Sequence, residues 1–162
     1  MAKSKYGFSP PIPWYIMTSD ATNNQAFNFF TENNFFGLSK YNVIFFEQKV
    51  LPCLSFDGNI IMCDKNKIAY SPNGNGGLFD VLKDLNILDD MRARGLSYFH
   101  IYGVDNILVR VGDPYFIGYC VLKKYDCGLK VIEKKDPNES VGIVCQIDGK
   151  NQVLQHELSI DC

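Results

Sequence analysis

The chain has 162 residues, 46% of them hydrophobic and 21% charged, with a formal net charge of −2. That length and balance fit a globular domain with a genuine core and exclude intrinsic disorder. No basic stripe is present to neutralise phosphates, and no apolar run nears the roughly 20 residues of a bilayer span, so neither nucleic acid nor a membrane is an expected partner.

In chain order, residues 1–12 read as a tail. Met1 to Lys5 lack the apolar stretch of a signal peptide, which points to the cytoplasm, and Pro10, Pro11 and Pro13 forbid regular structure. Trp14-Tyr15-Ile16-Met17 reads as a short strand buried on both faces. Thr18-Ser19-Asp20 offers capping side chains for a helix that carries Ala26, Phe29 and Phe30 on one face and stops at Gly37. Val43 to Phe46 is a second buried strand, so the start of the chain reads β-α-β, the signature of a parallel sheet. Ile60-Ile61-Met62 and Ile68-Ala69-Tyr70 flank a polar Asp64–Asn66 and predict a small inserted hairpin.

Beyond the loop Ser71 to Gly77, helical spacing runs through Leu78, Val81, Leu82 and Leu85, and then through Ile87, Leu88 and Met91 up to Gly95. Tyr98 to Val104 reads as another buried strand. Asp113 and Pro114 suit the N-cap and first turn of a helix reaching Val121. Val131-Ile132, Gly142 to Ile147 and Gln152 to Leu154 read as strands, the last two joined by a turn at Asp148-Gly149. Twelve Phe and nine Tyr predict a tightly packed interior or an aromatic interface. The six cysteines have no C-x-x-C spacing, and neither His100 nor His156 lies near a cysteine pair, so they read as buried free thiols, not as a zinc site or disulfides.

Three polar clusters stand where doubly wound sheets place ligands, beyond the carboxyl ends of strands. The loop Gly74-Asn75-Gly76-Gly77 can bend sharply, press close to a flat ligand and present asparagine's donor and acceptor; on its own such a loop is more often a turn than a site. Gln48 follows the strand Val43–Phe46 and is either a reader of that ligand or a surface residue. Asp105 follows Val104 and is either a hard oxygen ligand for Mg²⁺ or the cap of a turn with Asn106. His100 and His156 read as structural. No Ser-His-Asp or Cys-His arrangement assembles.

Taken together in order, Pro13 to Ser19, Leu51 to Gly58, Pro72 to Leu78, Ile101 to Val109, Asp113 to Gly118 and Val141 to Cys145 closely resemble the eukaryotic UDP-N-acetylhexosamine (UDP-N-acetylglucosamine) pyrophosphorylases. The resemblance implies a partial Rossmann-like α/β nucleotidyltransferase sheet with flanking helices and a small β-hairpin insertion. It divides the chain into a tail (1–12), a partial catalytic domain (13–155) and a divergent end (156–162). It also implies a uridylyltransferase that makes UDP-N-acetylglucosamine and pyrophosphate from UTP and N-acetylglucosamine 1-phosphate with Mg²⁺. By the same resemblance Gln48 and Gly74 contact the uracil, Asn75 and Gly142 the amino sugar, and Asp105 the metal. The segment Pro72–Leu78 goes with the amino-sugar members and suits N-acetylglucosamine and N-acetylgalactosamine equally.

The chain departs from that family in two places. The glycine-rich G-x-G-T-R loop and the lysine that grip the triphosphate do not occur in these 162 residues. A glutamate–tyrosine pair that the family carries after the Gln152–Leu154 strand reads Gln155-His156, so Gln155 keeps hydrogen-bonding capacity for a sugar and loses the charge. A central fragment with little turnover of its own is therefore expected. The alternative is a non-catalytic nucleotide-sugar binder or partner subunit. Loss of the first strand should expose a sheet edge and part of the core.

Overall fold

The structure, a computed structural model, describes Gly7, residues 11–136, Glu139 and residues 141–154. These residues fall into two units, Met1–Phe99 and His100–Cys162.

The first unit opens with strand β1 (Trp14–Thr18), helix α1 (Asp20–Glu32) and strand β2 (Val43–Glu47). The strands pair in parallel, Trp14 opposite Val43 through to Thr18 opposite Glu47, so the β-α-β reading holds. Helix α1 starts after Ser19, whose backbone N–H donates to Thr22 Oγ1 at 3.0 Å, the reach-back half of a capping box. Burial is shallower than the apolar runs suggest. Val43 and Phe46 are buried, while Trp14 is 36% exposed and the strand residues between are half-buried. Among the described residues this is a two-stranded sheet, and two strands under one helix cannot cover both faces.

Behind α1 the chain makes a left-handed turn at Asn34–Gly37, with φ of 50° at Phe35 and 53° at Phe36. Bulky residues adopt positive φ at a cost of roughly 1–2 kcal/mol each. The aromatic cluster around Phe30 offsets that cost: its ring lies 5.2 Å from those of Phe36 and Phe45 and 5.4 Å from Trp14, while Phe35 also meets Phe27. Six of the twelve phenylalanines, Phe27, Phe29, Phe30, Phe35, Phe36 and Phe45, meet here, mostly in edge-to-face contacts, while Phe56 and Phe79 elsewhere stay exposed.

Strand β3 (Val50–Pro52) pairs antiparallel with β6 (Tyr70–Pro72), and within that ribbon β4 (Met62–Asp64) pairs with β5 (Lys67–Ile68). The inserted hairpin is therefore present, turning at residues 65–66 as the polar stretch requires. Helices α2 (Leu78–Asp84) and α3 (Ile87–Ala93) follow as the spacing predicts. Gly95 ends α3 with φ 72°; its N–H donates to Arg92 O (2.9 Å) and that of Leu96 to Met91 O (3.1 Å), a Schellman cap. A polar chain ties α3 to the β-α-β part. Tyr15 Oη donates to Asp90 Oδ2 at 2.6 Å, Arg94 Nε donates to the same oxygen, and Arg94 Nη1 donates to Tyr41 O. Burial, and then the hydrogen bond to Asp90, push the Tyr15 hydroxyl up to about 12.

In the second unit, helix α4 (Pro114–Lys123) is followed by the hairpin β7 (Ile143–Ile147) and β8 (Lys150–Leu154). The hairpin turns on Asp148 and Gly149, both at positive φ as a two-residue loop demands. Asp113 caps α4 as expected, its Oδ1 accepting from Tyr115 N at 3.1 Å and its Oδ2 from Lys130 Nζ at 2.6 Å. The Lys130 hydrogen bond holds the Asp113 carboxyl below its ordinary value against desolvation. A carboxyl lowered in the folded state adds stability that is complete above the ordinary carboxylate range and is lost as pH falls through the lowered value. Backbone NMR shifts of Phe116 to Cys120 should therefore leave their helical values on acidification below about pH 4. Asp113→Asn, which retains a capping side chain, should show a flatter profile. Identical acid profiles in both proteins would refute this.

Two expected strands do not form. Tyr98–Val104 and Val131–Ile132 carry no ladder, and their side chains stay open, with Tyr98 63%, Val104 88% and Ile132 75% exposed. Strand character requires a neighbour to take the backbone N–H and C=O groups, and no described segment pairs with either run. The cysteines also differ from expectation. Cys53, Cys63, Cys120, Cys127 and Cys145 are free, yet none is buried, and Cys63 and Cys127 are exposed. His100 is structural in this unit: its Nδ1 accepts from Gly112 N at 2.9 Å.

Candidate functional site

The ribbon register brings Gln48 and Gly74 together. Val50 opposes Pro72, Leu51 opposes Ser71 and Pro52 opposes Tyr70. Continuing two steps outward places Lys49 opposite Asn73 and Gln48 opposite Gly74. Both steps are bonded: Asn73 N donates to Lys49 O at 2.9 Å, and Gly74 N donates to Gln48 Oε1 at 3.2 Å. Gln48 is also anchored to the parallel pair, its N–H donating to Thr18 O at 2.8 Å. It therefore sits at the carboxyl end of β2, where the parallel strands give way to the ribbon.

This bonding fixes the chemistry that Gln48 presents. An N–H can be accepted only by the amide oxygen, so Oε1 faces Gly74 and Nε2 keeps two donors for another group. The Gly74 carbonyl accepts the Gly77 N–H at 3.1 Å and keeps its second lone pair. An amide donor held in this way can meet a carbonyl on the edge of a flat base.

The glycines of the loop have different reasons. Gly74 stands at φ 79°, ψ −175°, a region essentially confined to glycine. Gly77 has an ordinary φ of −65°, but a Cβ there would lie 2.8 Å from Asn73 Nδ2 and 3.2 Å from Asn73 Cβ. At Gly76 an added Cβ meets open space. Asn75–Gly77 forms a 3₁₀ turn, with Gly77 N donating to Gly74 O at 3.1 Å, and this leads directly into α2. Asn75, next to Gly74, is exposed.

A cleft of about 810 Å³ is lined by Asp20, Glu47, Gln48, Lys49, Val50, Cys63, Lys67, Ile68, Ala69 and Tyr70. Its volume is within the range of small-molecule sites. Gln48 lines the cleft and also accepts from the glycine loop through Oε1.

Asp105 and Gly142 belong to the second unit, and Gln155 and His156 lie outside the described residues. Asp105 is exposed within a run of turns: Asn106 N donates to Gly103 O, and Leu108 N to Asn106 Oδ1. Among the described residues no group of three His, Cys, Asp or Glu side chains is placed to hold a metal. One open carboxylate fits a Mg²⁺ ion that arrives on phosphate oxygens and takes a single protein ligand; it does not fit a pre-built cage. Sequence reasoning missed the Lys49–Asp84 ion pair beside the loop, whose partners are 35 positions apart.

Residues 1–158 match the sequence model of the family described as UTP–glucose-1-phosphate uridylyltransferase. The chain is 51% identical over 156 residues to the human UDP-N-acetylhexosamine pyrophosphorylase-like protein 1, covering 96% of this chain and 31% of that protein. It is 37% identical over 146 residues to the UDP-N-acetylglucosamine pyrophosphorylase of Saccharomyces cerevisiae, covering 90% and 31% respectively. Among solved structures it superposes with a TM-score of 0.86 and 33% identity on the uridine diphosphate N-acetylglucosamine pyrophosphorylase from Trypanosoma brucei in complex with an inhibitor. That alignment covers 96% of this chain and 32% of the other. The chain thus spans about a third of the length of the relatives it matches.

Proposed function

Because the chain belongs to the UTP–glucose-1-phosphate uridylyltransferase family, we propose that its glycine loop and Gln48 recognise the uracil of a uridine nucleotide. The observation that carries this is the register-set pairing of Gln48 Oε1 with the Gly74 N–H, which leaves Nε2 as the donor that Gln48 offers a base. Asn75, next in the loop, is assigned with Gly142 and Gln155 to the N-acetylated sugar. The names of the relatives, pyrophosphorylases of UDP-N-acetylglucosamine and UDP-N-acetylhexosamine, support the amino-sugar assignment.

The reaction in this reading joins N-acetylglucosamine 1-phosphate to UTP. A phosphate oxygen of the sugar phosphate attacks the α-phosphorus in line, the bond to the bridging oxygen of the β-phosphate breaks, and pyrophosphate leaves with that electron pair. No covalent enzyme intermediate forms, so base and sugar recognition serve to align the attack. Asp105 is assigned to Mg²⁺, which neutralises phosphate charge when bound. The setting in this reading is the cytoplasm. The described cysteines are free, and no helix among the described residues is long and apolar enough to cross a membrane.

These 162 residues hold no G-x-G-T-R loop, so the isolated polypeptide is expected to bind without appreciable turnover. Titration with UDP-N-acetylglucosamine followed by amide NMR should move Gln48, Gly74 and Asn75 together and saturate. Unmoved loop amides at millimolar ligand would refute the assignment. A pyrophosphate-release assay on the same sample separates the enzyme from the non-catalytic binder.

A further inference from the structure

The pairing of Gln48 with Gly74 lies two steps past the last assigned pair of a three-residue ladder whose strands are exposed along their length. Short exposed ribbons are marginal and their ends fray. Something must hold this end closed if it is to present a fixed donor.

Lys49 is the residue placed to do so. Its carbonyl accepts the Asn73 N–H, on the near side of the glycine loop, and its ammonium pairs with Asp84 in the last turn of α2, the helix that leaves the loop. The loop is thus closed into a circuit from the Lys49 backbone to Asn73, through Gly74 to Gly77, along α2, and back from Asp84 to the Lys49 side chain. Asp80, one helical turn earlier on α2, adds to the field on Lys49, and Lys83 adds to that on Asp84. Both partners are about half exposed, 54% and 44% by side chain. Such a pair contributes little to global stability, so a local role is where its effect shows.

We infer that the Lys49–Asp84 ion pair is a positioning clamp: it holds Gln48 against Gly74 and thereby sets the preference for a uracil over a cytosine base. This rests on reading Gln48 and Gly74 as base-contacting residues. With the clamp closed, Oε1 is committed to Gly74 N–H and only Nε2 faces the base, so a carbonyl at ring position 4 is matched and an amino group is opposed. With the clamp open, the Gly74 N–H separates from Gln48, the amide is free to flip, and an acceptor becomes available to cytosine. Neither Lys49 nor Asp84 is assigned any contact with the ligand.

The test has two arms on the full 162-residue chain. In the first, without ligand, amide exchange at Asn73 and Gly74 should quicken roughly three- to fivefold in Lys49→Ala and in Asp84→Ala, the size expected of an exposed pair. The double variant should be no faster than either single one, and Lys49→Arg should restore the wild-type rate. Unchanged exchange in both single variants, or additive effects in the double, would overturn the clamp. In the second, the ratio of affinities for uridine and cytidine 5′-monophosphate should fall by a similar factor in the alanine variants and, because exposed charges are screened, in wild type at 0.5 M salt. A merely structural role weakens both nucleotides alike and leaves the ratio unmoved, which would also overturn the inference. Wild-type chain that shows the exchange pattern but binds neither nucleotide removes the base-reading assignment and leaves the clamp standing.

Discussion

Gly74→Ala should lower the affinity of the chain for UDP-N-acetylglucosamine on the order of tenfold to a hundredfold while leaving its circular dichroism unchanged. The φ of 79° and ψ of −175° put residue 74 where a side chain costs about 1–3 kcal/mol. The cost is conformational and not a clash, because a Cβ built at Gly74 meets no atom within 4 Å. The loop would relax toward negative φ and swing its N–H away from Gln48 Oε1. Gly76→Ala is the control: its φ is not positive and its Cβ enters open space, so affinity should stay within about twofold. Calorimetry on the two variants decides the matter, and wild-type affinity in Gly74→Ala would show that the loop is only a turn.

Gln48→Glu should be more damaging than Gln48→Ala, by roughly tenfold against a uridine ligand. Alanine removes a donor and an acceptor together. Glutamate keeps an acceptor toward Gly74 N–H and sets a second acceptor, with charge, where Nε2 offered a donor. An unmatched polar contact of that kind is costlier than an absent one, on the order of 1–3 kcal/mol. The sign of the pH dependence is a further check. Protonating the introduced carboxyl supplies an O–H donor, so affinity in Gln48→Glu should recover as pH falls toward about 4.3, whereas Gln48→Ala should show no such recovery. Equal affinities in wild type and Gln48→Glu across that range would rule out a donor role for Gln48.

Much of the local structure was legible in advance because its causes are local. Ser19 and Asp113 mark helix starts since capping is a short-range hydrogen bond, and Gly95 ends α3 since its positive φ completes a Schellman cap. The hairpins at Asp64–Asn66 and Asp148-Gly149 follow from turn chemistry between apolar runs. Tyr98–Val104 and Val131–Ile132 failed for the opposite reason. Apolarity states that a segment favours cover, but a strand exists only in a ladder, and pairing is a property of two segments. The depth of burial at Trp14–Met17 was overestimated on the same ground.

The sequence by itself determined the family, the parallel β-α-β start, and which residue types crowd the loop at Gly74 to Gly77. Those properties depend on side-chain chemistry and on neighbours a few positions apart. Only the tertiary structure decided that Gln48 opposes Gly74, that Gly77 is crowded by the Asn73 side chain while Gly74 is required by its φ, and that Lys49 reaches Asp84. Each of these is a matter of register or of packing between segments far apart in the chain. A one-residue slip of the β3–β6 ribbon would keep every local preference and send the Gln48 side chain to the other face. Composition and spacing are blind to that slip, and recognition of a base by Gln48 depends on its not occurring.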